Sequence, residues 1–297
     1  MKDHRPARFV LACAVVLGSL SSTLLAAEVY DAAARARDNR HWVEPMRAVH
    51  AKFTGKPGTL ACFGDSITIT MAFWSPLANR DLKNVPDDMA EALKRVKAHL
   101  AEECWRDWKG PQYGNNGRMT IDWADENIDR WLKELNPETA LIMFGTNDLK
   151  RKNNLENYER KYREVVRKCL DNGTVVILQT IPPYYGNPDR SRQYAEVVGK
   201  IAEDMRVPVS DFFGEVMRRR PDDWCGKMDK FRLPEGQKAK NYEVDTLLGR
   251  DGVHPSSPAK YKFDFSAEAL DSSGYNLRTY LALMIYADVL QSVLKAD

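Results

Sequence analysis

Residues 59–66 run Thr59-Leu60-Ala61-Cys62-Phe63-Gly64-Asp65-Ser66. A short, unbroken apolar stretch that stops at a Gly-Asp turn has the pattern of a strand buried on both faces, leading into a loop that displays a hydroxyl. The pattern recurs at Thr139-Ala140-Leu141-Ile142-Met143-Phe144, which ends in Gly145-Thr146-Asn147-Asp148, and at 174–179, which ends before Pro182-Pro183. Residues 207–210 make a shorter fourth strand. Between the strands lie apolar residues at helical spacing. Ile121, Ile128, Trp131, Leu132 and Leu135 share one face of 121–135, and Tyr158, Tyr162, Val165, Val166 and Cys169 one face of 155–170, with Asp171-Asn172-Gly173 as its stop signal. Further helices are expected at 87–105, 194–205 and 277–294, the last strongly apolar. Strands alternating with helices predict an α/β fold, a three-layer α/β/α sandwich around a mostly parallel sheet. In such sheets ligands bind beyond the carboxyl ends of the strands, where Ser66 and Asn147 fall.

Lys2, Arg5 and Arg8 precede an apolar run from Phe9 to Leu25, with Ala26-Ala27 offering small residues for cleavage. Residues 1–27 are therefore expected to be a signal peptide and the protein to be exported, periplasmic or secreted. A retained N-terminal anchor is the alternative, but the serines at 19, 21 and 22 dilute a run already short of the roughly 20 apolar residues of a span. Of 44 basic and 42 acidic side chains, three and one lie in this segment, so the rest balances. That balance argues against nucleic acid as a partner, because nucleic acid rewards a clustered basic face. Residues 28–297 contain no Gly/Ser or Pro-rich linker and no internal repeat, and are expected to form one domain. Three segments exceed a minimal version of such a fold, near 79–111, 224–250 and 261–273, and are expected to surround the site as lids or walls. Cys62 and Cys169 lie in apolar patterns expected to be buried. An exported context permits, without establishing, a Cys104–Cys225 disulfide.

Four blocks in one order carry the chemistry: Gly64-Asp65-Ser66, Gly117, Gly145-Thr146-Asn147-Asp148 and Asp251-Gly252-Val253-His254-Pro255. A serine hydroxyl needs a base to take its proton as it attacks. An imidazole that titrates near neutrality suits that task, and a carboxylate on its other nitrogen fixes the tautomer. N–H groups near the serine can stabilise an oxyanion. In this order the blocks resemble those of the SGNH/GDSL hydrolases, a family of esterases and lipases, over a match from about Thr59 to the C-terminal helix. The resemblance implies the flavodoxin-like SGNH fold and a serine esterase working through an acyl-enzyme. It implies Ser66 as nucleophile, His254 as base, Asp251 as its partner, and Ser66, Gly117 and Asn147 as the oxyanion hole. The second block, Tyr113-Gly114-Asn115-Asn116-Gly117-Arg118, puts an arginine where the family has a small or acidic residue, and leaves Gly114 as a rival to Gly117. Asp65 is expected to stabilise its turn and Asp148 to cap a helix.

The expected substrate is a small-molecule or polysaccharide ester, with an acetylated carbohydrate as the leading candidate. A lipase or thioesterase of the same fold, or a catalytically silent carbohydrate-binding protein, are the alternatives. Arg118 is a candidate for pairing with an anionic substrate group, or internally with Asp122 four residues on. Trp74 is a candidate sugar-stacking surface, against the commoner reading of a large aromatic as a core side chain. No cofactor or metal is expected: His4, His41, His50 and His99 lack metal spacing, and no phosphate-cradling glycine loop is present.

Overall fold

The structure is a computed structural model that describes residues 40–294 apart from 80, 109–114 and 238. The expected signal peptide (1–27) and the rival glycine Gly114 lie outside the described residues. Four parallel strands form one sheet: β1 (Leu60–Gly64), β2 (Thr139–Met143), β3 (Val175–Gln179) and β4 (Val209–Ser210), hydrogen-bonded in that order. All residues of β1, β2 and β3 are buried, which is why their sequences are continuously apolar rather than alternating. Helices cover both faces, giving the three-layer α/β/α sandwich. They are α1 (Val43–His50), α2 (Asp87–His99), α3 (Ile121–Leu135), α4 (Thr146–Lys150), α5 (Leu155–Asp171), α6 (Pro188–Met205), α7 (Phe212–Arg219), α8 (Ala267–Ser272) and α9 (Gly274–Val289).

Register places the site. Gly64 pairs with Met143, so Asp65-Ser66 and Gly145–Asn147 leave the sheet side by side at its carboxyl edge. The outer edge of β1 is covered by irregular chain: Cys62 N–H donates to Trp108 O at 3.0 Å and Leu60 N–H to Cys104 Sγ at 3.4 Å. That cover satisfies backbone groups a bare edge strand would expose. Residues 87–105 are not one helix. α2 ends at His99, Leu100 and Ala101 are extended, and a short 3-10 turn follows at Glu102–Trp105. Ala101 N–H is drawn off to Gly58 O, which breaks the helical ladder. α6 begins six residues earlier than its apolar face suggests, because Asn187 caps it and Pro188 takes the first position.

The C-terminal segment Gly274–Leu294 is apolar and long enough by composition to cross a bilayer, but 61% of its most apolar window is buried inside the protein. Its apolarity is that of a core helix. Trp74 also belongs to the core: it is fully buried, stacked on Trp105 with ring centroids 5.9 Å apart and edge-on to Tyr286. The expectation that it offers a face to sugar is thereby corrected. A smaller apolar cluster, with Phe212, Val216, Trp224, Leu247 and Leu248, anchors the 224–250 segment. Cys62, Cys104, Cys169 and Cys225 are buried and outside any disulfide, so no Cys104–Cys225 bridge forms. At the amino end of the sheet His50 Nε2 and His99 Nε2 meet the buried Glu138 carboxylate at 2.9 and 2.7 Å.

Candidate active site

The turn after β1 raises Ser66 from the sheet. Asp65 Oδ1 accepts Ile67 N–H at 3.1 Å, and Asp65 O accepts Thr68 and Ile69 N–H, tying the turn down. Ser66 Oγ lies 2.9 Å from His254 Nε2, and His254 Nδ1 lies 2.6 Å from Asp251 Oδ2. Asp251 Oδ1 accepts the N–H groups of Val253 and His254 at 2.9 and 3.0 Å, so one carboxylate holds both the imidazole and its loop. Burial works against ionisation of Asp251, but hydrogen bonds from His254, Val253 N–H and Asn241 outweigh it and hold its pKa well below the usual range. Gly252 makes the loop possible. Its φ is +73°, and a Cβ there would come within 2.7 Å of Tyr185 Cβ.

Gly117, at φ +82°, packs against the serine, where a Cβ would meet Ser66 Cβ at 3.0 Å. Each expected oxyanion donor is engaged within the protein. Ser66 N–H donates to Gly117 O at 3.0 Å, and Gly117 N–H to Asn115 Oδ1 at 2.8 Å. Asn147 Nδ2 lies 3.0 Å from Met119 O, 3.2 Å from Asp65 Oδ2 and 3.3 Å from Gly117 O. The three residues are together, but their N–H groups point at protein oxygens rather than at an open site. Asn115 was not singled out by the sequence. Its Nδ2 donates to Gly64 O at 2.6 Å, joining this segment to the end of β1.

Two buried carboxylates sit behind the serine. Burial pushes Asp65 up to about 6, against the pull of Ile67 N–H, Arg278 and His254. Burial likewise pushes Asp148 up to about 7, with Asp122 and Asp65 adding to the rise and Asn153 and Ile121 N–H opposing it. Asp148 does cap a helix, but not its own: its oxygens accept Ile121 N–H at 3.1 and 3.2 Å, at the start of α3. From α9, the fully buried Arg278 donates to Ile67 O (2.6 Å), Thr68 Oγ1 (3.0 Å) and Gln179 Oε1 (2.7 Å), and lies over the Phe73 ring. The last helix thus grips the serine turn.

Ser66 and His254 open onto a cavity of about 360 Å³, walled also by Lys240, Tyr242, Glu243 and Tyr275. Arg118 is exposed and does not line it. Nor does Arg118 pair with Asp122, whose carboxylate is taken by Lys161 Nζ at 2.6 Å. Thr120 between them is extended, so α3 starts too late to bring the two side chains onto one turn. A second cavity, about 420 Å³ between Leu82, Leu93, Lys94 and Lys97, holds no nucleophile or acid. Among the described residues no group of three or more His, Cys, Asp or Glu side chains is placed to hold a metal ion.

The sequence profile of the GDSL-like Lipase/Acylhydrolase family matches residues 62–259. Among solved structures, a lipolytic protein of the G-D-S-L family from Desulfitobacterium hafniense DCB-2 is 17% identical, covering 77% of this chain and 99% of that one at a TM-score of 0.46. A family 3 carbohydrate esterase from Clostridium thermocellum is 15% identical, over 80% and 98%, at 0.47. A catalytic mutant of an acetylxylan esterase from Geobacillus stearothermophilus is 16% identical, over 81% and 96%, at 0.44. Compared by sequence with curated proteins, the chain matches none.

Proposed function

This chain belongs to the GDSL-like lipase/acylhydrolase family and is an ester-bond hydrolase, and from that premise we propose that it is a serine esterase removing short acyl groups from a carbohydrate. The observation that carries this reading is the unbroken chain from Ser66 Oγ through His254 to Asp251, at 2.9 and 2.6 Å, on the wall of one cavity. Ser66 Oγ attacks the ester carbonyl while His254 Nε2 takes its proton. Asp251 stabilises the imidazolium. Collapse of the tetrahedral intermediate expels the alcohol, which takes the proton from His254, and leaves an acyl group on Ser66. Water, deprotonated by His254, attacks that ester, and Ser66 leaves with the proton returned to it.

Freeing the oxyanion donors takes three local changes: Ser66 N–H leaves Gly117 O, Gly117 N–H leaves Asn115 Oδ1, and the Asn147 amide turns from Met119 O, Asp65 Oδ2 and Gly117 O. Each oxyanion donor is worth about 3 kcal/mol of barrier. The short acyl group is supported by the cavity, which is small and walled by Lys240, Tyr242 and Glu243 rather than by a long apolar groove. Residues 1–27 support a site of action outside the cytoplasm. The test is a panel of nitrophenyl esters from acetyl to octanoyl, together with acetylated xylan, assayed on wild type and Ser66→Ala. Acetyl esters should be fastest and Ser66→Ala inactive. A preference for octanoyl esters would favour a lipase, and wild type inactive on every ester but bound to xylan would favour a silent binding protein.

A further inference from the structure

Among the described residues, the large hydrophobic side chains that stand exposed are Met71 (58%) and Tyr242 (41%). Tyr242 lines the Ser66 cavity, whereas Met71 does not. Single exposed apolar residues scattered over a surface need no explanation, but Tyr242 stands at the mouth of the serine's own cavity.

Tyr242 is held firmly. Its carbonyl accepts Ser257 N–H at 3.0 Å and Val244 N–H at 3.1 Å, while the neighbouring Asn241 O accepts Arg250 N–H at 2.9 Å. One edge of its ring packs on Gly249, where a Cβ would meet Tyr242 Cδ1 at 3.3 Å. The ring stands at 87° to that of His254, with centroids 5.9 Å apart. A rigid aromatic presents contact area without an ordering cost on binding. Polar groups surround it. Lys240, Glu243 and Ser257 line the same cavity, with Glu243 Oε2 fixed by Ala259 N–H at 2.9 Å. A flat apolar face ringed by donors and acceptors complements a cyclic polyol, which offers C–H groups on its face and hydroxyls at its edge. An acyl chain would use the face and leave the polar ring unpaired.

We propose that Tyr242 determines the alcohol specificity of the esterase, carrying the sugar ring of the departing alcohol on its exposed face while Lys240 and Glu243 meet the hydroxyls. The proposal rests on the carbohydrate-ester reading above for its substrate. It assigns that role to the 224–250 segment rather than to the serine loop.

The experiment compares wild type, Tyr242→Ala and Tyr242→Phe in two assays. The first is kcat/KM on a peracetylated methyl xyloside against kcat/KM on ethyl acetate. The second is calorimetric titration with xylotriose. Tyr242→Ala should lose about tenfold more on the sugar ester than on ethyl acetate, and should bind xylotriose correspondingly more weakly. Tyr242→Phe, which keeps the face, should hold the wild-type ratio. Equal losses on both esters would mean that the ring only steadies His254, and would overturn the proposal. Wild type that cleaves ethyl acetate but neither binds xylotriose nor cleaves the xyloside overturns it too, while leaving the serine esterase intact. Tyr242-dependent binding of xylotriose without hydrolysis of either ester supports the subsite and removes the esterase reading instead.

Discussion

Replacing Asp148 with asparagine should stabilise the protein, and increasingly so as the pH rises. Asp148 is fully buried, and among the described residues no ion pair involves it. Its partners are Ile121 N–H at 3.1 and 3.2 Å and Asn153 Nδ2 at 2.9 Å. Burial, with Asp122 and Asp65 nearby, lifts its pKa from 3.8 to about 7. Between those two values the native protein keeps a proton that the unfolded chain releases. Stability is therefore full below the unfolded pKa and declines as the pH climbs to the folded one. A span of about three units amounts to about 4 kcal/mol. Asparagine mimics the protonated acid, keeping an oxygen for Ile121 N–H without a charge to bury. Urea titrations at pH 4.5 should separate wild type and Asp148→Asn by no more than about 1 kcal/mol, and by pH 8 the variant should lead by about 2–4 kcal/mol. The remaining slope in the variant belongs in part to Asp65, shifted in the same direction. A variant less stable than wild type by the same amount at every pH would refute the reasoning, because charge burial would then play no part.

Gly117→Ala should lower kcat about 10–100-fold, since a left-handed alanine costs about 1–2 kcal/mol and its Cβ would press on Ser66 at 3.0 Å; steady-state kinetics with an unchanged kcat would show that this segment does not bear on the serine. Arg278→Met should cost about 3–5 kcal/mol, because it strips Ile67 O and Gln179 Oε1 of a buried donor. Thermal denaturation reads this as a midpoint about 10 °C lower, and an unchanged midpoint would contradict the grip assigned to α9. Asp251→Asn should leave the fold intact, with Oδ1 still accepting Val253 and His254 N–H. It should cut kcat by about 10⁴, because the imidazole loses its tautomer; single-turnover kinetics near the wild-type rate would remove Asp251 from the mechanism.

β1, β2 and β3 were legible because each is buried on both faces, and the long helices because α3 and α5 each bury one stripe. The start of α6 is hidden in the sequence because Pro188-Asp189 resembles a loop until Asn187 is seen to cap it. Ser66, Asp251 and His254 could be found because the chemistry confines them to short motifs. What the motifs could not convey is where each N–H points: Ser66, Gly117 and Asn147 converge, but their donors face Gly117 O, Asn115 Oδ1 and Met119 O within the protein. Trp74 and Tyr242 are alike to a sequence reading, as aromatics near the expected site. One completes the core and the other stands at the cavity, and only packing separates them. Asn115 and Tyr242 lie in irregular segments without periodicity, so nothing in their spacing marks them. His50, His99 and Glu138 meet across separations of 88 and 39 residues, too far apart for any local pattern.

The central claim is that Ser66 is the nucleophile, activated by His254. The most direct measurement is peptide mapping by mass spectrometry after brief exposure of wild type and His254→Ala to a fluorophosphonate. Wild type should gain one adduct, located on Ser66, and His254→Ala should label far more slowly at the same residue. An adduct on any other serine, or labelling of Ser66 at an equal rate without His254, would contradict the account.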